Sequence, residues 1–252
     1  MRLEYNVEVH RFSALFKILS AWRVAKQRSR VHELEMGKVV HYCNIKKNVI
    51  DIGAADGNYT FLLAPFAKKI YAFEPQPKFA RQLEKVSKHF FSNVEVIRTA
   101  LSDGNGERDF VRDLENPGLS RLSDTARNTH HENVSTVITR TLDSYGIQDV
   151  SLIKIDVEGH ELEVVKGAQE TLLKERPVLL IESEFRHREG CPQSLFDLMD
   201  RLDYQGFFFV EEEMRSILEF DLDEHQLFSN LESRNSEEGK TTYVNNFLFI
   251  PR

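Results

Sequence analysis

The 252-residue chain has little of what several function classes require. It holds two cysteines, Cys43 and Cys191, far apart and without a Cys-x-x-Cys pair. A disulfide framework, a zinc ribbon and an iron–sulfur site are therefore unsupported. No apolar run approaches the roughly 20 residues of a membrane-spanning helix. Near the N-terminus the run from Ala14 to Ser20 is interrupted by Lys17, so no secretory segment is expected and the cytoplasm is the default compartment. Positive charge is not in excess either. Lys and Arg number 33 against 40 Asp and Glu, a net −7, which argues against nucleic acid as a partner.

What remains is a globular composition, 41% hydrophobic and 29% charged, long enough to build its own core. From about residue 48 the pattern alternates. Strands are expected at Val49–Ile52, Ile70–Phe73 and Val94–Leu101, with helices at Asn58–Lys68 and Pro77–Phe90 between them. A less regular stretch carries strands at Glu107–Arg112 and Val134–Thr141. The rhythm then resumes: strand Val150–Asp156, helix Gly159–Lys174, strand Val178–Glu182, helix Gln193–Leu202, and strands at Gly206–Val210 and Asn246–Ile250. Strand and helix in alternation indicate an α/β fold whose parallel sheet is covered on both faces. The last two strands lack a clear crossover helix, so they are expected to close the sheet as an antiparallel hairpin, with Ser233–Thr242 as a mobile loop. Residues 1–45 read as a basic helical extension and 46–252 as one domain.

The most informative stretch is Val49-Ile-Asp-Ile-Gly-Ala-Ala-Asp-Gly-Asn-Tyr-Thr, residues 49–60. A strand enters a tight turn at Gly53 and Gly57 and leaves in a helix. That helix, opening at Asn58 and Tyr59, offers free N–H groups to an anion such as a carboxylate. Glu74, at the end of the next strand, is placed to accept both hydroxyls of a ribose. The spacing Gly-x-x-x-Gly departs from the dinucleotide pattern. Asp51 would repel a pyrophosphate and attract an ammonium group. A ligand with an amino acid at one end and a ribose at the other is S-adenosylmethionine.

A second stretch is Leu152-Ile-Lys-Ile-Asp-Val-Glu-Gly-His-Glu-Leu, residues 152–162. Asp156 stands at the carboxyl end of a mid-sheet strand, where open α/β sheets bind ligands. Glu158 and His160 follow in the turn and complete a compact acid/base group. Asp156 could instead cap the following helix, and His160 could be a solvated first-turn residue.

With Phe73-Glu-Pro and Ala100-Leu-Ser-Asp, these two stretches make the chain resemble FkbM-type S-adenosylmethionine-dependent methyltransferases over roughly residues 48–210. The resemblance implies a Rossmann-like, seven-stranded, mostly parallel sheet with an antiparallel last strand. It also implies methyl transfer to oxygen, often on a sugar, glycan or polyketide. By position, Gly53, Ala54 and Gly57 would line the methionine end, and Leu101 and Ser102 would meet the adenine. Many Rossmann-like methyltransferases carry glycine where this chain has Ala55, and alanine fits there if the backbone avoids positive φ.

Removal of the acceptor proton needs a base, for which Asp156 and His160 are candidates. Mg²⁺ held by Asp156 and Glu182 is a second route. Acceptor contacts are expected from Asn116–Arg121 and from Glu184, Arg186 and His187. Rival readings are a protein or RNA methyltransferase, a non-catalytic cofactor-binding subunit and an NAD-dependent enzyme.

Residues 1–30 hold seven basic residues against Glu4 and Glu8, a net +5. Phe12, Leu15, Phe16, Leu19 and Trp22 recur there at helical spacing. Such a helix would pack on the core or on a second copy in a homo-oligomer. Alternatively, residues 10–30 would lie on an anionic membrane or form a lid.

Overall fold

A computed structural model describes residues 34–123, 132–210, 213–227 and 243–252. The segment 10–30 and the loop Ser233–Thr242 lie outside the described residues. Helix α1 (Leu34–Val39) leads into the main sheet. The sheet contains β1 (Asn48–Ile52), β2 (Ile70–Phe73), β3 (Val94–Ile97), β8 (Val150–Ile155), β9 (Val178–Glu182), β10 (Tyr204–Val210), β11 (Glu213–Ser216) and β12 (Asn246–Pro251). Their order is β11-β10-β12-β9-β8-β1-β2-β3. A second sheet holds β4 (Ala100–Leu101), β5 (Gly106–Asp113), β6 (Arg121–Leu122) and β7 (Glu132–Arg140), in the order β4-β7-β5-β6.

Strand β1 is buried along its whole length. That is why Val49, Ile50 and Ile52 read as a continuous apolar run rather than an alternation. One face of the sheet presents Ile50, Ile52, Phe73, Ile153 and Ile155 to α4 (Glu161–Lys166), α5 (Gln169–Glu175) and α6 (Gln193–Arg201). The other presents Val49, Ile70, Leu152 and Leu180 to α1, α2 (Asn58–Leu63) and α3 (Pro77–Phe90). Each fully buried Ile or Leu contributes about 1.5–3 kcal/mol.

The chain runs outward from β1 to β2 and β3, then returns through the second sheet to β8 on the other side of β1. The carboxyl ends of β1 and β8 therefore flank a topological switch point, where a crevice opens.

Four expectations are corrected. Val94–Leu101 is two strands: Thr99 N–H closes a tight turn onto the Ile97 carbonyl (2.9 Å), and Ala100–Leu101 pairs with β7 instead. Gly159–Lys174 is two helices, broken at Gly167, where a Cβ would come within 2.0 Å of the Ser102 carbonyl oxygen. Asn58–Lys68 ends as a helix at Leu63 and tightens into a 3₁₀ turn carrying Pro65. The main sheet gains an eighth strand, β11, inside a stretch that reads as polar. It is an edge strand with Met214 47% exposed, so it shows no apolar alternation. The closing strand β12 is antiparallel to both neighbours, as the resemblance implies. No helix among the described residues is long and apolar enough to cross a membrane.

The start of α5 is capped from a distance. Asp143 accepts hydrogen bonds from the backbone N–H of Glu170 (3.1 Å) and Thr171 (2.8 Å) and from the Thr171 hydroxyl (2.7 Å). Asp143→Ala is expected to lower unfolding free energy by about 1–2 kcal/mol in urea titrations. An unchanged midpoint would show that the cap adds nothing.

Candidate active site

At the switch point two loops touch. The Asp156 N–H donates to the Ile52 carbonyl (3.0 Å), and a Cβ on Gly53 would sit 1.8 Å from the Asp156 carbonyl oxygen. Gly53, at φ 79°, is therefore required by chain packing as well as by the turn. Gly57, at φ 90°, serves packing too: a Cβ there would reach Phe61 at 2.4 Å and Leu83 at 2.5 Å. The turn from β1 leads out of this contact into a cavity.

Gly53, Ala55 and Glu74 form one wall of the cavity, and Leu101 lies beside them. Asp156, Glu158 and His160 line it as well. Phe110 of β5, Arg121 and Leu122 of β6, and Gly118 and Ser120 between those strands complete the lining. Asn116, the first residue of the expected acceptor segment, is not in the lining.

Glu74 is 2% exposed. Its two oxygens accept N–H bonds from Ala55 (2.8 Å) and Gln76 (2.7 Å). Burial nevertheless pushes its pKa up to about 7. Ala55 reaches Glu74 from φ 45°, so the condition attached to its methyl group fails. A left-handed alanine costs on the order of 1 kcal/mol, and the N–H bond to Glu74 offsets it.

Asp51 is buried under α2 rather than in the cavity wall. It accepts a 2.5 Å hydrogen bond from the Thr60 hydroxyl, and burial raises its pKa to about 6. Directly across the strand pair is Lys154, 1% exposed, with its ammonium 3.4 Å from Asp156 and 4.9 Å from the Tyr59 ring centre. Lys154 is the cation of this acidic cluster, a role its place in the Lys-Ile-Asp-Val-Glu-Gly run did not disclose. Ala54 is buried in the turn, and Asn58 and Tyr59 open α2 behind it.

Burial lowers the pKa of His160, which favours its neutral imidazole. Its Nε2 lies 2.9 Å from the Ser102 hydroxyl, which ties Ser102 to the site although Ser102 itself is outside the lining. Glu158 stands at φ 55°. Burial first, then Asp156, Glu184 and Glu161, push its pKa up to about 9. Glu161 folds back to accept the N–H of Gly159 (2.9 Å), and burial raises it to about 7.

Glu182 lies outside the lining and accepts from the Asn245 amide (2.7 Å). Among the described residues no cluster of three His, Cys, Asp or Glu is arranged to hold a metal. The Lys154 ammonium beside Asp156 also opposes a second cation there. The residues present do not fit the Mg²⁺ site anticipated from Asp156 and Glu182.

Residues 51–218, which include every wall of this cavity, match the Methyltransferase FkbM domain. The chain belongs to the FkbM methyltransferase family. The chain is 27% identical over 160 residues to the 2-O-methyltransferase NoeI of Sinorhizobium fredii, covering 56% of this chain and 65% of that one. It is 27% identical over 177 residues to the hexuronic acid methyltransferase AglP of Haloferax volcanii, covering 66% and 68%. The chain thus spans about two thirds of the length of these relatives. The crystal structure of an FkbM methyltransferase from Methylobacillus flagellatus shares the fold at 15% identity and a TM-score of 0.50, covering 98% of this chain and 63% of that one.

Raised carboxyl pKa values fix the sign of a pH effect. Glu74 holds its proton more tightly in the fold than when unfolded. Its contribution is fully present below its unfolded value and is lost as pH rises through about 7. Relative to wild type, Glu74→Gln should gain roughly 1 kcal/mol per pH unit between pH 5 and 7 in urea unfolding. A pH-independent difference would contradict the buried-acid assignment.

Proposed function

We propose that the protein transfers the methyl group of S-adenosylmethionine to a hydroxyl of a sugar, glycan or related small molecule. The observation that carries this reading is Glu74, a buried carboxylate held by two N–H groups at the rim of a cavity in an FkbM domain. Such an acid, at the end of the second strand, suits the two hydroxyls of a ribose. Leu101 and Ser102 would lie beside the adenine. Gly53, Ala54 and the start of α2 would frame the methionine end, with Asp51 and Gly57 behind them. When bound, the cofactor supplies an activated methyl group on a positively charged sulfur.

The chain's own residues position the acceptor and remove its proton. His160 is engaged with Ser102, at the adenine end. Proton removal therefore falls to the carboxylates on that wall. Asp156 stands 3.4 Å from the Lys154 ammonium, whereas Glu158, its pKa pushed up to about 9, is protonated at neutral pH and has a hydrogen to donate. Asp156 is the proton acceptor in this reading, and Glu158 orients the acceptor oxygen by donating a hydrogen bond to it. Loss of positive charge from the cofactor after transfer weakens its attraction to this acidic wall and aids product release.

The relatives' substrates support a saccharide acceptor, since one is a 2-O-methyltransferase and the other acts on a hexuronic acid. The test is incubation of monosaccharide and uronic acid glycosides with S-adenosylmethionine, read as single-methyl mass gain. Asp156→Asn and Glu158→Gln are expected to lower turnover about 100-fold or more while still binding S-adenosylhomocysteine. Undiminished turnover in both variants, or methylation of protein or RNA in preference to saccharide, would contradict the proposal.

A further inference from the structure

The face of β8 that meets α2 carries a buried cation to which the mechanism above gives no part. Side chains alternate along a strand, so Lys154 shares this face with Leu152. Its side chain is 1% exposed, and its ammonium lies 3.4 Å from Asp156 Oδ2. Three neutral groups also hold it. The Ile155 carbonyl (3.4 Å) and Asn246 Oδ1 (3.5 Å) accept from it, and the Tyr59 ring centre is 4.9 Å away. Tyr59 belongs to α2 and Asn246 to β12, which is separated from β8 by β9. A lysine stem is flexible, but anchored from three elements it delivers its charge to one place.

Burying an ammonium costs more than burying an apolar side chain of the same size. Packing of β8 alone therefore does not call for lysine here. Asp156, by contrast, keeps 29% of its side chain exposed and lines the cavity. The pair has an anchored end in the core and a working end at the ligand site. The other titratable groups that act on Asp156 are Asp51 of β1, Glu74 at the end of β2, Glu158 in the following turn and Glu161 at the start of α4, all of them acids. Glu184, Arg186 and His187, after β9, gather about Glu158. Each neighbouring acid disfavours a charge on Asp156, and Lys154 is the cation set against them.

We propose that Lys154 is a positioning residue of methyl transfer, whose buried ammonium holds the Asp156 carboxylate charged and in place in the cavity lining to take the acceptor proton. This rests on the reading of Asp156 as proton acceptor. The acceptor oxygen bonds the methyl carbon as the carbon–sulfur bond breaks, and that electron pair stays on sulfur. The O–H proton passes to an Asp156 carboxylate oxygen. Lys154 exchanges no proton in the step and acts only through Asp156.

Infrared titration of the full-length protein without cofactor tests the link. The carboxyl band of Asp156 is identified by its loss in Asp156→Asn. In Lys154→Met, which keeps the length of the side chain and removes its charge, the midpoint of that band should rise by at least about one pH unit. The acid limb of kcat on the methylated saccharide should move up with it, while S-adenosylhomocysteine affinity at pH 8 stays within threefold. Lys154→Arg, which keeps the charge, should hold both the midpoint and the acid limb within a few tenths of wild type. If loss of the buried cation unfolds Lys154→Met, the double variant Asp51→Asn, Lys154→Met removes one charge of each sign, and its band is compared with that of Asp51→Asn. The same rise is expected there. An unchanged midpoint in the variant that folds overturns the proposal. So does a risen midpoint with an unmoved acid limb, or a rise in Lys154→Arg as large as in Lys154→Met. Full turnover in Asp156→Asn would instead strike the reading beneath it, and the positioning role with it.

Discussion

The close approach of two strand ends governs the rest of the site. β1 and β8 lie side by side, and the chain leaves them toward opposite sides of the sheet. At that parting the Gly53 backbone rests on the Asp156 carbonyl, with no room for a side chain. The contact sets the turn after β1, whose Ala55 N–H bonds Glu74 at the end of β2, beside the turn that carries Asp156, Glu158 and His160. Ligands of open α/β sheets bind where strand ends part in this way. The second sheet, inserted between β3 and β8, lends Phe110, Arg121 and Leu122 to the cavity lining and Leu101 to the core.

The second constraint is electrostatic. Asp51, Glu74, Glu158 and Glu161 are all buried enough to hold their protons more tightly than ordinary carboxyls. Lys154 is buried among the first of these and offsets part of their mutual repulsion. Such a cluster lowers stability near neutral pH and is retained where function uses it. A cationic ligand with hydroxyl donors relieves the cluster, so the cost to the fold and the affinity for ligand have one origin.

The core strands were legible in the sequence because burial on both faces leaves an unmistakable apolar run, as in Val49–Ile52. The Glu74 position followed from the same reading, since an acid ending a strand in this pattern has few structural uses. The local breaks were not legible. Gly167 reads as an ordinary helix residue until the Ser102 carbonyl is found against it. The positive φ of Ala55 depends on the N–H bond to Glu74, a contact across 19 residues. Asn246 is remote in sequence from Lys154, so only the fold joins them. The sequence reads Asp51 as facing an ammonium group, whereas the fold sets Thr60 against it and leaves the cavity lining to Glu74 and Asp156.

The most direct measurement is calorimetric titration of the purified protein with S-adenosylhomocysteine, repeated between pH 5.5 and 7.5 and in Glu74→Ala. The account requires micromolar binding that tightens as pH rises and Glu74 ionises, with proton release on binding at the acid end, and that is lost in the variant. Absence of binding to the folded wild type, or equal binding by Glu74→Ala, would contradict it.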